Sequence, residues 1–245
     1  MNDFTAEFLG TMVMILLGNG VVANVVLNET KGKNGGWIVI SLGWGLAVFM
    51  GVAIAGPYSG AHLNPAVTLG LALAGMFPWS KVFLFVSAQF LGAAAGAFLV
   101  WLMYYDHFNK TEDPGAILGC FSTGPAIRRL GNNFISEVIG TFVLIFVIYY
   151  ITGPSLNGHN LELVKVGMGT LGALPVALLV VAIGLSLGGT TGYAINPARD
   201  VAPRFMHTIL PMKYKGSSDW SYSVVPIMGP LVGAAIAALI YTLIH

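Results

Sequence analysis

Charged side chains are scarce in this chain. Asp, Glu, Lys and Arg make up 9% of its 245 residues, where a soluble domain carries about 25%. That scarcity argues against an ordinary water-soluble globule. Charge of one sign is missing too: the net charge of +1 offers no basic surface for nucleic acid and no acidic one, so no nucleic-acid partner is expected. One cysteine, Cys120, cannot form an intrachain disulfide and reads as a small apolar filler. No basic stretch precedes the first apolar run, so Met1 to Glu7 reads as the entry to a span rather than as a signal peptide. His62 has no second His or Cys at ligand spacing, so no metal is expected. Nor does the chain show a nucleophile–base pair. It is expected to be no enzyme and to need no cofactor.

What the chain has in abundance is apolar length. Hydrophobic residues make up 56%. Six runs, near 5–27, 36–56, 80–104, 131–152, 166–188 and 222–244, are long enough to cross the roughly 30 Å of a bilayer core. Two shorter segments, 64–76 and 197–207, are not. Each opens on the same tripeptide: Asn64-Pro65-Ala66 in SGAHLNPAVTLG, and Asn196-Pro197-Ala198 in TGYAINPARDVAP. Proline at the first turn marks a helix start. Irregular backbone at membrane depth survives only beside protein or water. The two segments therefore read as re-entrant half-helices whose positive ends face a water-filled path.

The chain also repeats itself. Glu7-Phe8-Leu9-Gly10-Thr11 matches Glu137-Val138-Ile139-Gly140-Thr141, and Gly92-x-x-x-Gly96 matches Gly229-x-x-x-Gly233. Small residues at that spacing let helices approach closely in lipid. Each repeat, 1–105 and 131–245, holds three spans, so the second enters the membrane inverted, with 106–130 as the polar connection. Inverted repeats place their shared site near the midplane. The whole chain, 1–245, is read as one all-α membrane domain.

The paired tripeptides, the SGAHLNPAVT block, the AEFLGT and SEVIGT starts and the GYAINPARD block together resemble the aquaporin family, or major intrinsic proteins, on its glycerol-facilitator branch. The resemblance implies six tilted helices and two half-helices around one pore per subunit, in a homotetramer with both termini cytoplasmic in the plasma membrane. It implies solute-facing carbonyls at Gly60, Ala61, His62, Gly192, Tyr193 and Ala194, with Asn64 and Asn196 donating between them. Glu7 and Glu137 would brace the loops, with Asp200 supporting the filter. The constriction would comprise Trp44, Gly184, Tyr193 and Arg199. Water-selective members usually carry His where Gly184 stands, so Gly184 implies a wider passage. Trp44 and Tyr193 would take CH groups while Arg199 takes hydroxyls. That slot suits glycerol, with water passing too. Tyr193 stands where the family more often has Phe; its hydroxyl would add polarity and bulk to the aromatic corner, which brings in protonated lactic acid, urea, dihydroxyacetone and hydrogen peroxide as alternatives, beside a pore mainly for water. Such a pore would exclude ions and protons.

One reading competes with this one. A secondary transporter also has inverted repeats and broken helices, but usually carries coupling carboxylates at mid-membrane. Here Glu7, Glu137 and Asp200 are assigned to support. The loop charges point against the implied topology: Lys81 and Lys165 would lie inside, and Lys31, Lys33, Lys110, Arg128, Arg129, Lys213 and Lys215 outside, contrary to the positive-inside rule.

Overall fold

A computed structural model describes residues 1–153, 155–158, 161–165 and 167–245. Helices α1 (Asp3–Val26), α2 (Gly36–Ser59), α4 (Val82–Met103), α7 (Leu130–Tyr150), α8 (Leu174–Leu187) and α10 (Val224–Ile244) are the long ones. Single 3₁₀ turns, Trp79–Lys81 and Gly169–Ala173, lead into α4 and α8 and extend those spans. The 24 residues of α1 rise about 36 Å, enough for a bilayer core. Helix α3 (Pro65–Leu73) has nine residues and α9 (Pro197–Ile209) thirteen. At about 1.5 Å per residue neither can span.

All six spans and both half-helices fall where the apolar runs predict, with ends displaced by a few residues. The expected start of the fifth span, residue 166, lies outside the described residues. Two features were not expected. The 106–130 connection carries the short helices α5 (Tyr105–Lys110) and α6 (Pro114–Gly119). Helix α6 starts because the Asp113 carboxylate accepts from Gly115 N at 2.8 Å while Pro114 presets the first turn. The connection between α7 and α8 contains an antiparallel pair, β1 (Ser155–Gly158) and β2 (Leu161–Lys165), with Ser155 opposite Lys165.

Packing repeats the internal symmetry. Helix α1 lies against α2 and α4, α7 lies against α10, and α2 meets α8 across the middle. Each half-helix seats mainly on a long helix of the other repeat, α3 on α10 and α9 on α4. The paired glycines allow this closeness: a Cβ on Gly92 would sit 2.3 Å from the Phe8 carbonyl oxygen, and one on Gly233 would sit 2.5 Å from that of Val138. Polarity is turned inside out. Phe83 and Leu243 are 83% and 76% exposed, while Glu7, Gln89, Asp200 and Arg204 are wholly buried. A hydrocarbon surround accounts for that distribution, and a polar interior is tolerated there only around function.

Candidate functional site

The two loops before the half-helices adopt matching, unusual backbones. Gly60, Ala61 and Leu63 have φ of +82°, +53° and +52°; Gly192, Tyr193 and Ile195 have +80°, +39° and +43°. Side chains other than glycine rarely sit there, and such strain persists only where surroundings enforce it. The enforcement comes from two carboxylates. Glu7 accepts from His62 N at 2.9 Å and Leu63 N at 2.8 Å, and from the side chains of Ser59 and Gln89. Glu137 accepts from Ala194 N at 2.9 Å, Ile195 N at 2.8 Å and Thr191 Oγ1 at 2.7 Å. The loop N–H groups are thus consumed on the outside of each loop. The carbonyls of residues 60–62 and 192–194 accept no backbone or side-chain hydrogen bond among the described residues.

Asn64 and Asn196 each do two jobs. As N-caps their Oδ1 atoms accept from Ala66 N at 2.8 Å and Ala198 N at 3.0 Å. That fixes each amide with its nitrogen outward. Asn64 Nδ2 then donates to the Ile195 carbonyl at 2.7 Å, and Asn196 Nδ2 to the Leu63 carbonyl at 2.9 Å. The half-helices are stapled tip to tip across the repeats. One N–H of each amide is used in the staple, leaving one. Proline at 65 and 197 starts each helix without wasting a donor, and the small Ala66 and Ala198 are fully buried behind it.

Nearer the 106–130 side, Arg199 leaves α9 one turn from Asn196. Its guanidinium Cζ lies 4.2 Å from the centre of the Trp44 ring, a stacking distance for a cation on an aromatic face. Nη1 donates to the Phe121 carbonyl at 3.2 Å and to Asn19 Oδ1 at 3.4 Å. Nε and Nη2 have no protein partner among the described residues. Trp44 reaches this place because Gly18 gives way: a Cβ there would lie 2.3 Å from the indole.

Gly184 does not leave an open gap. A Cβ on it would sit 2.9 Å from Tyr193 Cζ and Oη, and one on Gly188 would sit 2.3 Å from Tyr193 Cδ1. The tyrosine ring fills the groove along α8. Trp37 backs it edge-on, with centroids 5.8 Å apart, and donates Nε1–H to the Gly184 carbonyl at 2.8 Å. The hydroxyls of Tyr193 and Ser41 are both buried there, beside each other against Gly184. The expectation that the Tyr193 hydroxyl adds polarity to the passage is therefore revised: the ring lines the cavity while its hydroxyl points into α8.

Asp200 sits behind Arg199 and accepts from Thr123 N and Oγ1, both at 2.7 Å, and from Arg204 Nε at 2.8 Å. Arg204 continues to the carbonyls of Thr123 and Ser218. This clasp ties the 106–130 connection to α9. His62 is braced rather than free: Nδ1 lies 3.1 Å from Thr68 Oγ1, and its ring packs on Phe77 and Phe85. Sequence reasoning missed Arg204, Asn19, Ser59, Gln89 and Thr191. Asp200 and Arg204 at i, i+4 were a usable signal. Ser59 and Thr191 hold equivalent places before the two tripeptides.

One cavity of about 250 Å³ joins these parts, lined by Trp44, His62, Asn64, Tyr193, Asn196, Arg199 and the loop residues between, except Gly192. Its other walls are apolar, among them Val48, Val52, Leu144 and Val180.

The sequence pattern of the family described as "Major intrinsic protein" matches residues 1–241. Glycerol uptake facilitator protein 3 of Lactiplantibacillus plantarum is 55% identical over 239 residues, 97% of this chain and 95% of that protein. A probable glycerol uptake facilitator protein of Thermotoga maritima is 55% identical over 242 residues, 98% of each. The X-ray structure of the aquaglyceroporin from Plasmodium falciparum superposes with a TM-score of 0.82 at 35% identity, over 98% of this chain and 94% of that one.

Proposed function

This chain belongs to the major intrinsic protein family, whose members lie in membranes, and we propose that it is a passive channel for glycerol and related small neutral polyols, with water. It works without chemistry on the solute. The relatives named as glycerol uptake facilitators support that solute class. One observation carries the reading: the Arg199 guanidinium lies over the Trp44 ring with Nε and Nη2 unpartnered among the described residues, in the cavity that Tyr193 also lines. A polyol has a carbon edge and a hydroxyl edge. The rings accept the first and the guanidinium donates to the second.

Past that point the solute must keep exchanging hydrogen bonds, since an unpaired polar group in an apolar wall costs several kcal/mol. The carbonyls of Ala61, His62, Tyr193 and Ala194 supply acceptors beside the cavity. The free N–H of Asn64 and of Asn196 supplies donors between them. Both half-helix N-termini and Arg199 place positive potential on the route, which disfavours cations and hydronium. Residues 1–105 and 131–245 act as two inverted halves of one unit. The assembled channel is a homotetramer in the plasma membrane with cytoplasmic termini.

Stopped-flow light scattering on proteoliposomes tests this. Glycerol and water should both cross faster than in protein-free vesicles, without an ion gradient and without saturation. Urea, dihydroxyacetone, lactic acid and hydrogen peroxide, run beside glycerol, rank the alternatives. Glycerol uptake at the lipid-only rate while water moves fast would remove the glycerol assignment.

A further inference from the structure

We infer that Asn19 is a positioning residue for the Arg199 guanidinium, and so sets how this channel discriminates among solutes. The inference rests on the channel reading above.

Asn19 is wholly buried in the middle of α1, an otherwise apolar span. A buried amide in such a place is costly unless both its ends are paired. Its two hydrogen bonds both run to the constriction and none to helix packing. Oδ1 accepts from Arg199 Nη1 at 3.4 Å, and Nδ2 donates to the Phe121 carbonyl at 3.3 Å. Arg199 Nη1 donates to the same carbonyl at 3.2 Å. The three groups close a triangle whose corners come from α1, the 106–130 connection and α9.

The triangle has a directional effect. A guanidinium stacked on Trp44 could still rotate in the plane of the ring, and nothing in the stack chooses which nitrogen faces the lumen. Two acceptors on the Nη1 side make that choice. Nε and Nη2 are then the donors presented to a solute. All three bonds are long for N–H···O contacts, so the triangle biases the orientation without fixing it rigidly. Asn19 also keeps the site's charge intact, because its acceptor is neutral.

A double-mutant cycle separates the action on Arg199 from the rest of the side chain. Asn19→Leu is close in shape and removes both polar groups. The same change is made in Arg199→Val, where no guanidinium is left to orient. Permeabilities to water and to a panel of glycerol, urea and lactic acid are measured in proteoliposomes at equal channel content. The wild-type panel tests the channel reading. The variants are compared with wild type on whichever solutes it conducts, as a ratio to water. Asn19→Leu should lower that ratio by roughly three- to tenfold, the range one hydrogen bond commands. In the Arg199→Val background Asn19→Leu should change the ratio by less than about twofold. If leucine is not tolerated, Asn19→Ser replaces it, since its shorter hydroxyl cannot reach Nη1. An unchanged ratio in Asn19→Leu or Asn19→Ser overturns the inference. So does a proportional fall of solute and water together, or an equal fall with and without Arg199.

Discussion

Adding one methyl group at Gly184 should narrow the passage by moving a different residue. A Cβ there would sit 2.9 Å from both Cζ and Oη of Tyr193, whereas ordinary contact begins near 3.4 Å. The ring must therefore withdraw by roughly 0.5 Å or more to escape overlap. Along α8 the ring already lies against the bare backbone of Gly188, so close that a Cβ there would sit 2.3 Å from its Cδ1. Trp37 closes the side behind it, held by its bond to the Gly184 carbonyl. The remaining direction is toward Arg199 and the lumen. Overpacking of this kind costs about 1–3 kcal/mol. Placed on the barrier for a polyol, that is roughly a five- to hundredfold fall in glycerol flux, with water, being smaller, less affected. The assay is a double-mutant cycle on glycerol and water permeability, with Gly184→Ala made alone, with Tyr193→Phe and with Tyr193→Ala. Phenylalanine keeps Cζ and should keep the block. Alanine removes the ring, and Gly184→Ala should then do little. Equal effects of Gly184→Ala with and without the ring would mean that residue 184 faces the lumen itself, and the argument would fail.

Three further outcomes follow from other contacts. Glu137→Gln trades one acceptor oxygen for a donor facing the Ile195 or Ala194 N–H, which should cost about 1–3 kcal/mol and lower the detergent melting temperature, with conduction falling as the loop relaxes; an unaltered melting curve would remove Glu137 as the brace. Burial pushes the Cys120 thiol well above its ordinary range, so thiolate is scarce; a water-soluble maleimide should label the folded protein far more slowly than the SDS-unfolded one. The Arg128 guanidinium, bonded to Asp219 at 2.6 and 2.9 Å, holds that carboxyl below its usual 3.8. A depressed carboxyl stabilises above its unfolded value and loses that contribution as pH falls through the folded one. This partly exposed tie should leave stability flat across neutral and mildly acidic pH, and a melting-temperature step there that vanishes in Asp219→Asn would contradict it.

Much of the architecture was legible because lipid imposes simple rules. A span needs length and apolarity, and 64–76 and 197–207 fail the length test while carrying a helix-start signal. The repeat also identified Glu7 and Glu137 as equivalent before any contact was known. Local signals failed where a residue's meaning depends on a distant partner. Asn19 looks like a lone polar residue in α1, and only folding brings Arg199 and Phe121 to it. Gly184 looks like empty space in one dimension; the ring that fills it comes from residue 193. The helices in 106–130 were missed because six-residue helices carry too little periodicity to read, although Asp113-Pro114 marks a start.

The placement of the buried polar groups explains how a pore can be rich in carbonyls and still oppose cations. Bare carbonyls in a row attract positive ions, as selectivity filters show. Here the N–H groups of the same loops are taken by Glu7 and Glu137, so the loops turn their oxygens inward. A carboxylate brace could strengthen a cation's attraction. Three features oppose it. Both half-helices end at Asn64 and Asn196 with their positive poles together. The remaining amide N–H groups must be accepted by whatever passes, which a bare cation cannot do. Arg199 keeps its charge toward the cavity, since the acceptors on Nη1, Asn19 and Phe121, are both neutral. A neutral hydroxyl both donates and accepts, so it meets carbonyl, amide and guanidinium in turn. A cation satisfies only the carbonyls. Neutralising Arg199 alone, as in Arg199→Val, should therefore widen the range of neutral solutes while leaving cation conductance near the lipid baseline, because the helix poles remain; a cation current appearing in that variant would place the whole barrier at Arg199.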